Sequence, residues 1–446
     1  MIKILINAYA VSPNMGSEPG MGWNWITNIA QYCEVYVITE SEFRDRNTEA
    51  IIPPRNYEQL NKYGLTKEQC SHIHFIFVNV GKDENDSNKI RQMCWNQGNW
   101  FFYPKYAKWQ EKALIEARNI IEEHEINIIH QLNMAGFREP GMLYRINEER
   151  KKLGKKEIPI VWGPMAGFGS IPLKFMIPGG IKFTVFYLIK NTLNILQLLF
   201  HPRVRKMIAS SRKVIAATPE MKQGIEKFHN VSVEHINETG CTSFTIENKH
   251  NFNNSDSFKI LWVGRFIYTK QLNLALETIS NLENINGLEF HIVGKGFNDK
   301  ETSLMKYHAK QYGINVVCHW HGQIKNEEVQ KLMQECDLFF FTSIFEATST
   351  VILEAIQNQL PIVCFDRCGF GPIVDETIGI KISCKSPKQA VKDFADAIRH
   401  LEKNRDKLKE MSENCKKKQL DLSWKKKTEK MINIYNQILD NSPHIS

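Results

Sequence analysis

Short β-branched runs alternate with segments of helical period along the whole chain, and that alternation limits the fold more than any other feature. The first series reads IKILINA, NWITNIAQY, VYVIT, INIIHQL, IPIVWG and KVIAAT. A polar, irregular patch follows, NETGCTSFTIENKHNFNNSDS, and a second series starts at KILWVGR and runs through LEFHIVG, VVCHWHG, LFFFTS, TVILEAIQNQ and PIVCF. Strand and helix in alternation is the mark of parallel sheets covered by helices on both faces. The expected fold class is α/β, with two doubly wound, Rossmann-like domains joined near residue 240. We place the first at 1–238 and the second at 239–424, with a helical tail whose last part, about 425–446, crosses back to the first domain.

The bulk numbers agree with two domains. A chain of 446 residues can bury two cores, and 42% hydrophobic with 24% charged residues is an ordinary globular composition. No run of eighteen uncharged apolar residues occurs, and the N-terminus MIKILINAYAVSPN lacks the features of a signal peptide. The expectation is therefore a soluble, cytoplasmic protein with reduced thiols, since its ten cysteines are scattered and the close pair Cys364 and Cys368 has no metal-spaced partners. A net charge of +8 favours anionic partners, phosphates or an acidic membrane surface among them. Nucleic acid is not expected, because the densest cationic run, CKKKQLDLSWKKKTEK, reads as a solvated helix face.

Residues 181–200, IKFTVFYLIKNTLNILQLLF, form the most apolar helical segment, interrupted by Lys182, Lys190 and two asparagines. It suits either a core-packing helix or an amphipathic helix that touches a membrane or a lipid-linked substrate.

Chemistry is first suggested by FEATSTVILEA, which sets Glu346 and Glu354 eight residues apart after the apolar strand DLFFFTS. Glu346 falls in a strand-to-helix loop and Glu354 about a turn inside the helix. Ser349 and Thr350 occupy the helix start, where unpaired N–H groups and the positive end of the dipole favour an anion. The loop also lies at the carboxyl end of a parallel strand, the usual ligand position in open α/β sheets. Phosphates on the helix start with a carboxylate on either side would suit a sugar joined to a nucleoside through a diphosphate. A plainer reading has Glu346 complementing the dipole and Glu354 facing solvent. In ILWVGRFIYTKQLNLALE, Arg265 and Lys270 follow another strand on the same edge, where two cations can offset charge on a departing diphosphate. Gly294, Gly296 and Gly322, in FHIVGKG and HWHGQI, permit close backbone approach after further strands.

Taken in order and spacing, these motifs and LPIVCFDRCGFGPIV make residues 258 to about 385 resemble the donor-binding half of the retaining glycosyltransferases of group 1, relatives of glycogen synthase. The resemblance implies a GT-B fold, two Rossmann-like domains facing across a cleft, with a nucleotide-sugar on the second. It assigns the diphosphate to Arg265 and Lys270, the donor sugar to Glu346 and the ribose to Glu354. Ala347, Thr348 and Ser349 stand where Gly-Phe-Gly is common, which makes Ser349 an added phosphate ligand.

The first half matches a subgroup more loosely, through GSEPGMGWNW and VWGPMAG. Gly16, Gly20 and Gly22 are read as a backbone loop that approaches the donor phosphates. Family members often carry an acceptor-side histidine two residues beyond a strand-end histidine; here those positions are His130 and Leu132. His130 and Arg138 are the acceptor-side candidates, a strand-capping role for the histidine being the alternative. No Asp-x-Asp occurs, so a metal is not expected and no cofactor is assigned. The resulting expectation is metal-independent transfer with retention, the leaving diphosphate helping to take the acceptor proton, onto a glycan or lipid-linked acceptor at a membrane's cytoplasmic face. Two other readings stay open: an NAD-dependent enzyme, because Glu40 closes the second strand where a ribose-binding acid lies, and a nucleotide-sugar-binding protein without turnover.

Overall fold

The computed structural model describes residues 1–13, 15, 17–43, 63–97, 102–133, 136–242, 250, 252 and 256–440. The chain divides into two compact units: Met1–Phe168, Leu193–Thr239 and Trp424–Ser446 make the first, Gly169–Thr192 and Gly240–Ser423 the second. The joint falls at 239/240, and the segment 169–192, placed in the first domain from sequence, counts with the second.

The first unit is built on seven strands, β1 (Ile2–Ala8), β2 (Cys33–Glu40), β3 (Ile73–Val78), β4 (Ile128–Asn133), β5 (Ile160–Met165), β6 (Ser211–Ala216) and β7 (Val233–His235), in the order β3-β2-β1-β4-β5-β6-β7. All pairs are parallel; Ile4 lies opposite Val35 on one side and Ile128 on the other. Ile4, Leu5 and Ile6 are wholly buried, as expected of a strand covered on both faces. The C-terminal helix Trp424–Asp440 belongs to this unit. Its buried Trp424, Thr428, Met431, Tyr435 and Ile438 recur at helical spacing, and Trp424 meets Trp25 edge-on at 5.5 Å.

One loop expected from sequence is a helix. Ser17–Ile29 is helical, so Gly20 and Gly22 lie inside its first turns and form no phosphate-approaching loop. Pro19 needs no N–H so near a helix start, and Met21, Trp25, Ile26 and Ile29 give the helix a buried side. Gly20 serves packing instead: a Cβ there would stand 2.4 Å from the Met15 carbonyl oxygen. Gly16 lies outside the described residues.

The second unit holds six parallel strands, β8 (Phe258–Val263), β9 (Leu288–Val293), β10 (Cys318–Gly322), β11 (Leu338–Phe341), β12 (Ile362–Phe365) and β13 (Gly379–Ile382), in the order β10-β9-β8-β11-β12-β13. Phe339, Phe340 and Phe341 are buried in β11, with Phe340 against Phe394 and Phe341 against Phe370. The strand order reverses between β8 and β11. In open α/β sheets the position outside the carboxyl ends of two such strands is where ligands bind.

Candidate functional site

That reversal point is where the two loops picked out from sequence meet. Thr342, just past β11, accepts a hydrogen bond from Trp262 Nε1 (2.9 Å) and donates to the Lys270 carbonyl (2.8 Å). The Ile344 amide donates to the Thr269 carbonyl at 2.9 Å. The loops after β8 and β11 are thus stitched by backbone, and their side chains are set in register. Lys270 Nζ donates to Glu346 Oε1, which also accepts from Ser343 Oγ at 3.1 Å. Both partners are partly buried, and Lys270 Nζ stands 5.4 Å from the Phe341 ring centre. A charge pair in such surroundings is worth more than one in open solvent.

Arg265 is placed differently from Lys270. It is exposed, with its guanidinium over the Phe297 ring at 5.6 Å, so the structure brings Lys270 and Glu346 into contact but leaves Arg265 on the face of an aromatic ring. Ser349 is the N-cap of the helix Thr350–Gln357; it is buried and makes no side-chain capping bond, while Thr350 is exposed. The loop before it is pinned where the Gly369 amide donates to the Ala347 carbonyl at 2.9 Å, and a Cβ on Gly369 would approach that oxygen to 2.6 Å. Glu354 is not a solvent-facing residue. Burial pushes its carboxyl upward, opposed by a long hydrogen bond from Asn326 Nδ2 at 3.5 Å.

The glycines of the edge have structural work of their own. Gly294 has φ +130° and any Cβ would lie 1.8 Å from the Gly264 carbonyl oxygen. Its amide donates to Gly322 at 2.8 Å, and the Gly264 amide donates to Val293 at 3.0 Å, tying the ends of β8, β9 and β10 together. Gly322 has φ +67° with open space beside it.

In the first unit the candidates are spoken for. His130 is fully buried; its Nδ1 and the Tyr435 hydroxyl are 2.6 Å apart, and its Nε2 is 2.6 Å from the Gly163 carbonyl. The carbonyl can only accept, so Nε2 carries the proton and Nδ1 takes the hydroxyl's. Burial pushes the ring down to about 4. With both nitrogens committed and no exposure, His130 is a structural residue rather than an acceptor-side one. Arg138 donates through Nε to Asn194 Oδ1 (3.0 Å) and through Nη2 to the Gly167 carbonyl (2.9 Å), which places it at the loop after β5. Glu40, the acid on which an NAD reading depends, is wholly buried and bound by Arg91 at 2.6 Å and by the Glu42 amide at 2.9 Å. A ribose would find that carboxylate already taken.

Sequence reasoning missed Thr342, Asn326 and Lys190. Lys190 Nζ lies 4.8 Å from the ring centre of Phe345, the residue before Glu346, and 5.1 Å from that of Tyr187. Its only sequence signal was a charge inside an apolar helix. Another donor set, Glu289, His291 and His319 on β9 and β10, brings its ligand atoms within 4.8 Å of one another and suits a borderline divalent ion. None of Arg265, Lys270, Glu346 or Glu354 belongs to it.

Two doubly wound parallel units, with Lys270 and Glu346 in contact at the reversal point of the second, have the architecture of the GT-B fold. Residues 243–418, most of the second unit, match the family model for glycosyl transferases group 1. A protein described as a teichuronic acid biosynthesis glycosyltransferase, TuaC of Bacillus subtilis (strain 168), is 28% identical over 142 residues, 32% of this chain and 32% of its own length. The match thus spans about a third of that relative. Among solved structures, sucrose-phosphate synthase from Thermosynechococcus elongatus superposes with a TM-score of 0.61 at 12% identity, covering 99% of this chain and 100% of its own. Anabaena HepE in complex with UDP gives 0.61 at 12% identity, covering 98% and 100%. At such identities the likeness establishes the fold.

Proposed function

We propose that the protein moves a hexose-type sugar from a nucleoside-diphosphate donor to a hydroxyl of a glycan or lipid-linked glycan. Transfer proceeds with retention and without a metal, in cell-surface polysaccharide or glycolipid synthesis at the cytoplasmic face of an anionic membrane. The observation that carries the reading is the Lys270–Glu346 contact at the reversal point of a group 1 unit. HepE, of the same fold, binds UDP, and TuaC is described as acting in teichuronic acid biosynthesis.

In this reading a diphosphate competes with Glu346 for the Lys270 ammonium, and Arg265 swings from Phe297 to the same phosphates. The buried Ser349 hydroxyl and the amides at the helix start add neutral donors. Glu346, released from its lysine, orients the sugar and offsets positive charge at the anomeric carbon. Glu354 accepts from a ribose hydroxyl. The departing diphosphate oxygen takes the proton of an acceptor hydroxyl on the same face. The chain has no Asp-x-Asp, so charge neutralisation falls to side chains.

Incubation with a panel of UDP- and GDP-sugars, following free nucleotide, tests the reading and identifies the donor. Product NMR then gives the anomeric configuration. An inverted product refutes retention, and loss of activity in chelator at unchanged thermal stability refutes metal independence. Absence of turnover with every donor, while one of them binds, favours the non-catalytic nucleotide-sugar-binding reading.

A further inference from the structure

We propose that Glu289, His291 and His319 hold one divalent transition-metal ion of the zinc type, which fastens the edge strand β10 to its neighbour β9. The site lies wholly in the second unit and is independent of the transfer chemistry proposed above.

Strand alternation puts the donors on one face. In LEFHIV of β9, Leu288, Phe290 and Ile292 are buried, whereas the residues between them, Glu289 and His291, are only partly so. Successive side chains point to opposite faces, so Glu289 and His291 share the less buried one. In CHWHG of β10, Cys318 is buried and His319 and His321 stand two apart on the other side. The strands are parallel with His319 directly opposite His291, which sets a Glu-x-His pair beside a His-x-His pair. The ring of His291 stacks on that of His319 at 4.8 Å and on that of His321 at 5.2 Å.

The distances suit a shared ion. Glu289 Oε2 is 3.2 Å from His291 Nε2 and 3.9 Å from His319 Nε2. Donors held about 2.0–2.2 Å from a tetrahedral zinc stand roughly 3.3–3.6 Å from one another. His319 is exposed, so its ring can turn toward the ion without disturbing a core. His321 acts from behind: its Nε2 is 3.0 Å from His291 Nδ1. When that nitrogen accepts the Nδ1 proton, the His291 Nε2 lone pair faces a carboxylate oxygen, and two acceptors face to face need a cation between them. A proton there would serve His291 and Glu289 alone, because 3.9 Å is too long for a hydrogen bond to His319. A metal ion engages all three, with water in the remaining position. Two imidazoles and a carboxylate favour Zn²⁺ or its neighbours Ni²⁺ and Cu²⁺ over Mg²⁺ and Ca²⁺, which prefer oxygen.

Placement indicates what the ion does. β10 has five residues and closes the sheet at one edge, next to β9. Edge strands are the part of a sheet least held by neighbours, and an ion shared by β9 and β10 adds a side-chain link to the backbone ladder. Neither Lys270 nor Glu346 supplies a donor, so the effect falls on stability rather than on transfer.

The test is titration of the full chain, stripped with chelator, with Zn²⁺ against a chromophoric zinc indicator. One ion per chain is expected, since among the described residues this is the one such donor group. The thermal midpoint should rise by a few degrees with zinc, as binding to the folded state requires, and fall back on chelation, with nucleotide release per folded molecule unchanged. His319→Gln should weaken zinc by on the order of 100-fold or more and abolish the thermal shift, and His321→Gln should cost roughly 10-fold. The exposed His319→Gln variant should keep the metal-free midpoint of the wild type, which separates lost binding from lost folding. Equal uptake by wild type and His319→Gln, an adventitious ion only, overturns the proposal, as does the absence of saturable uptake by the wild type. An equal response to Mg²⁺ overturns the nitrogen ligand set, and zinc uptake at an unchanged midpoint overturns the fastening role.

Discussion

The two units treat their polar residues in opposite ways. In the first, the charged and titratable groups at strand ends are sealed by protein partners: Glu40 by Arg91, and His130 by Tyr435 and Gly163. In the second, Lys270 and Glu346 hold each other while only partly buried, Arg265 is exposed and the Ser349 hydroxyl makes no capping bond. Buried polar groups fully satisfied by protein contribute to a unique fold, whereas groups that exchange one partner for a ligand at low cost are fit for binding. The same residue types therefore mean architecture in one unit and, in the proposed reading, chemistry in the other.

The largest effect expected from breaking this contrast lies in the first unit. Arg91→Ala leaves the Glu40 carboxylate buried and unpaired, at a cost of about 3–5 kcal/mol. Urea unfolding should show it, with transfer per folded molecule unchanged. Lys270→Ala should do the reverse. Removing one charge-stabilising donor slows transfer by ~100-fold or more, while the thermal midpoint stays put because the pair is only partly buried. A Lys270→Ala protein that transfers at a near-normal rate would contradict the site; one that unfolds would move Lys270 into the architectural class.

This contrast explains what was legible beforehand. The two sheets could be read because each central strand is an uninterrupted apolar run, and the loops after β8 and β11 could be singled out because their candidate residues lie in short local motifs such as FEATSTVILEA. His130 stayed between two roles because its decisive partner, Tyr435, is 305 residues away in sequence. Gly20 and Gly22 suggested a loop by composition, yet the Trp25, Ile26 and Ile29 side of the same segment buries well enough to keep it helical. Lys190 was hidden for a similar reason: its proximity to Phe345 is tertiary, and a charge inside an apolar helix does not say which ring it will meet. Spacing reports local structure well; it says little about which distant side chain will satisfy a polar group.

Acidification sharpens the comparison further. Folded, His130 stays neutral down to about pH 4, whereas in the unfolded chain the ring takes its proton near 6.5. Its contribution is complete above pH 6.5 and is lost as pH falls from there toward 4, by about 3 kcal/mol in all. His130→Gln should flatten the stability profile across that window by one proton's slope without altering the pH dependence of transfer. A changed rate profile would return His130 to the reaction.

The smallest effect is expected at Ser349. Its hydroxyl is buried at a helix start without a capping bond, so Ser349→Ala removes little from the folded protein; an N-cap that does cap would cost about 1 kcal/mol. If the hydroxyl donates to a donor phosphate, its loss removes one neutral hydrogen bond, about 0.5–1.5 kcal/mol or a few-fold. That few-fold loss should fall on donor KM or kcat/KM, with unchanged thermal stability. The opposite pattern, lower stability at unchanged kinetics, would place Ser349 with Glu40 and His130 among residues whose polar groups serve the fold.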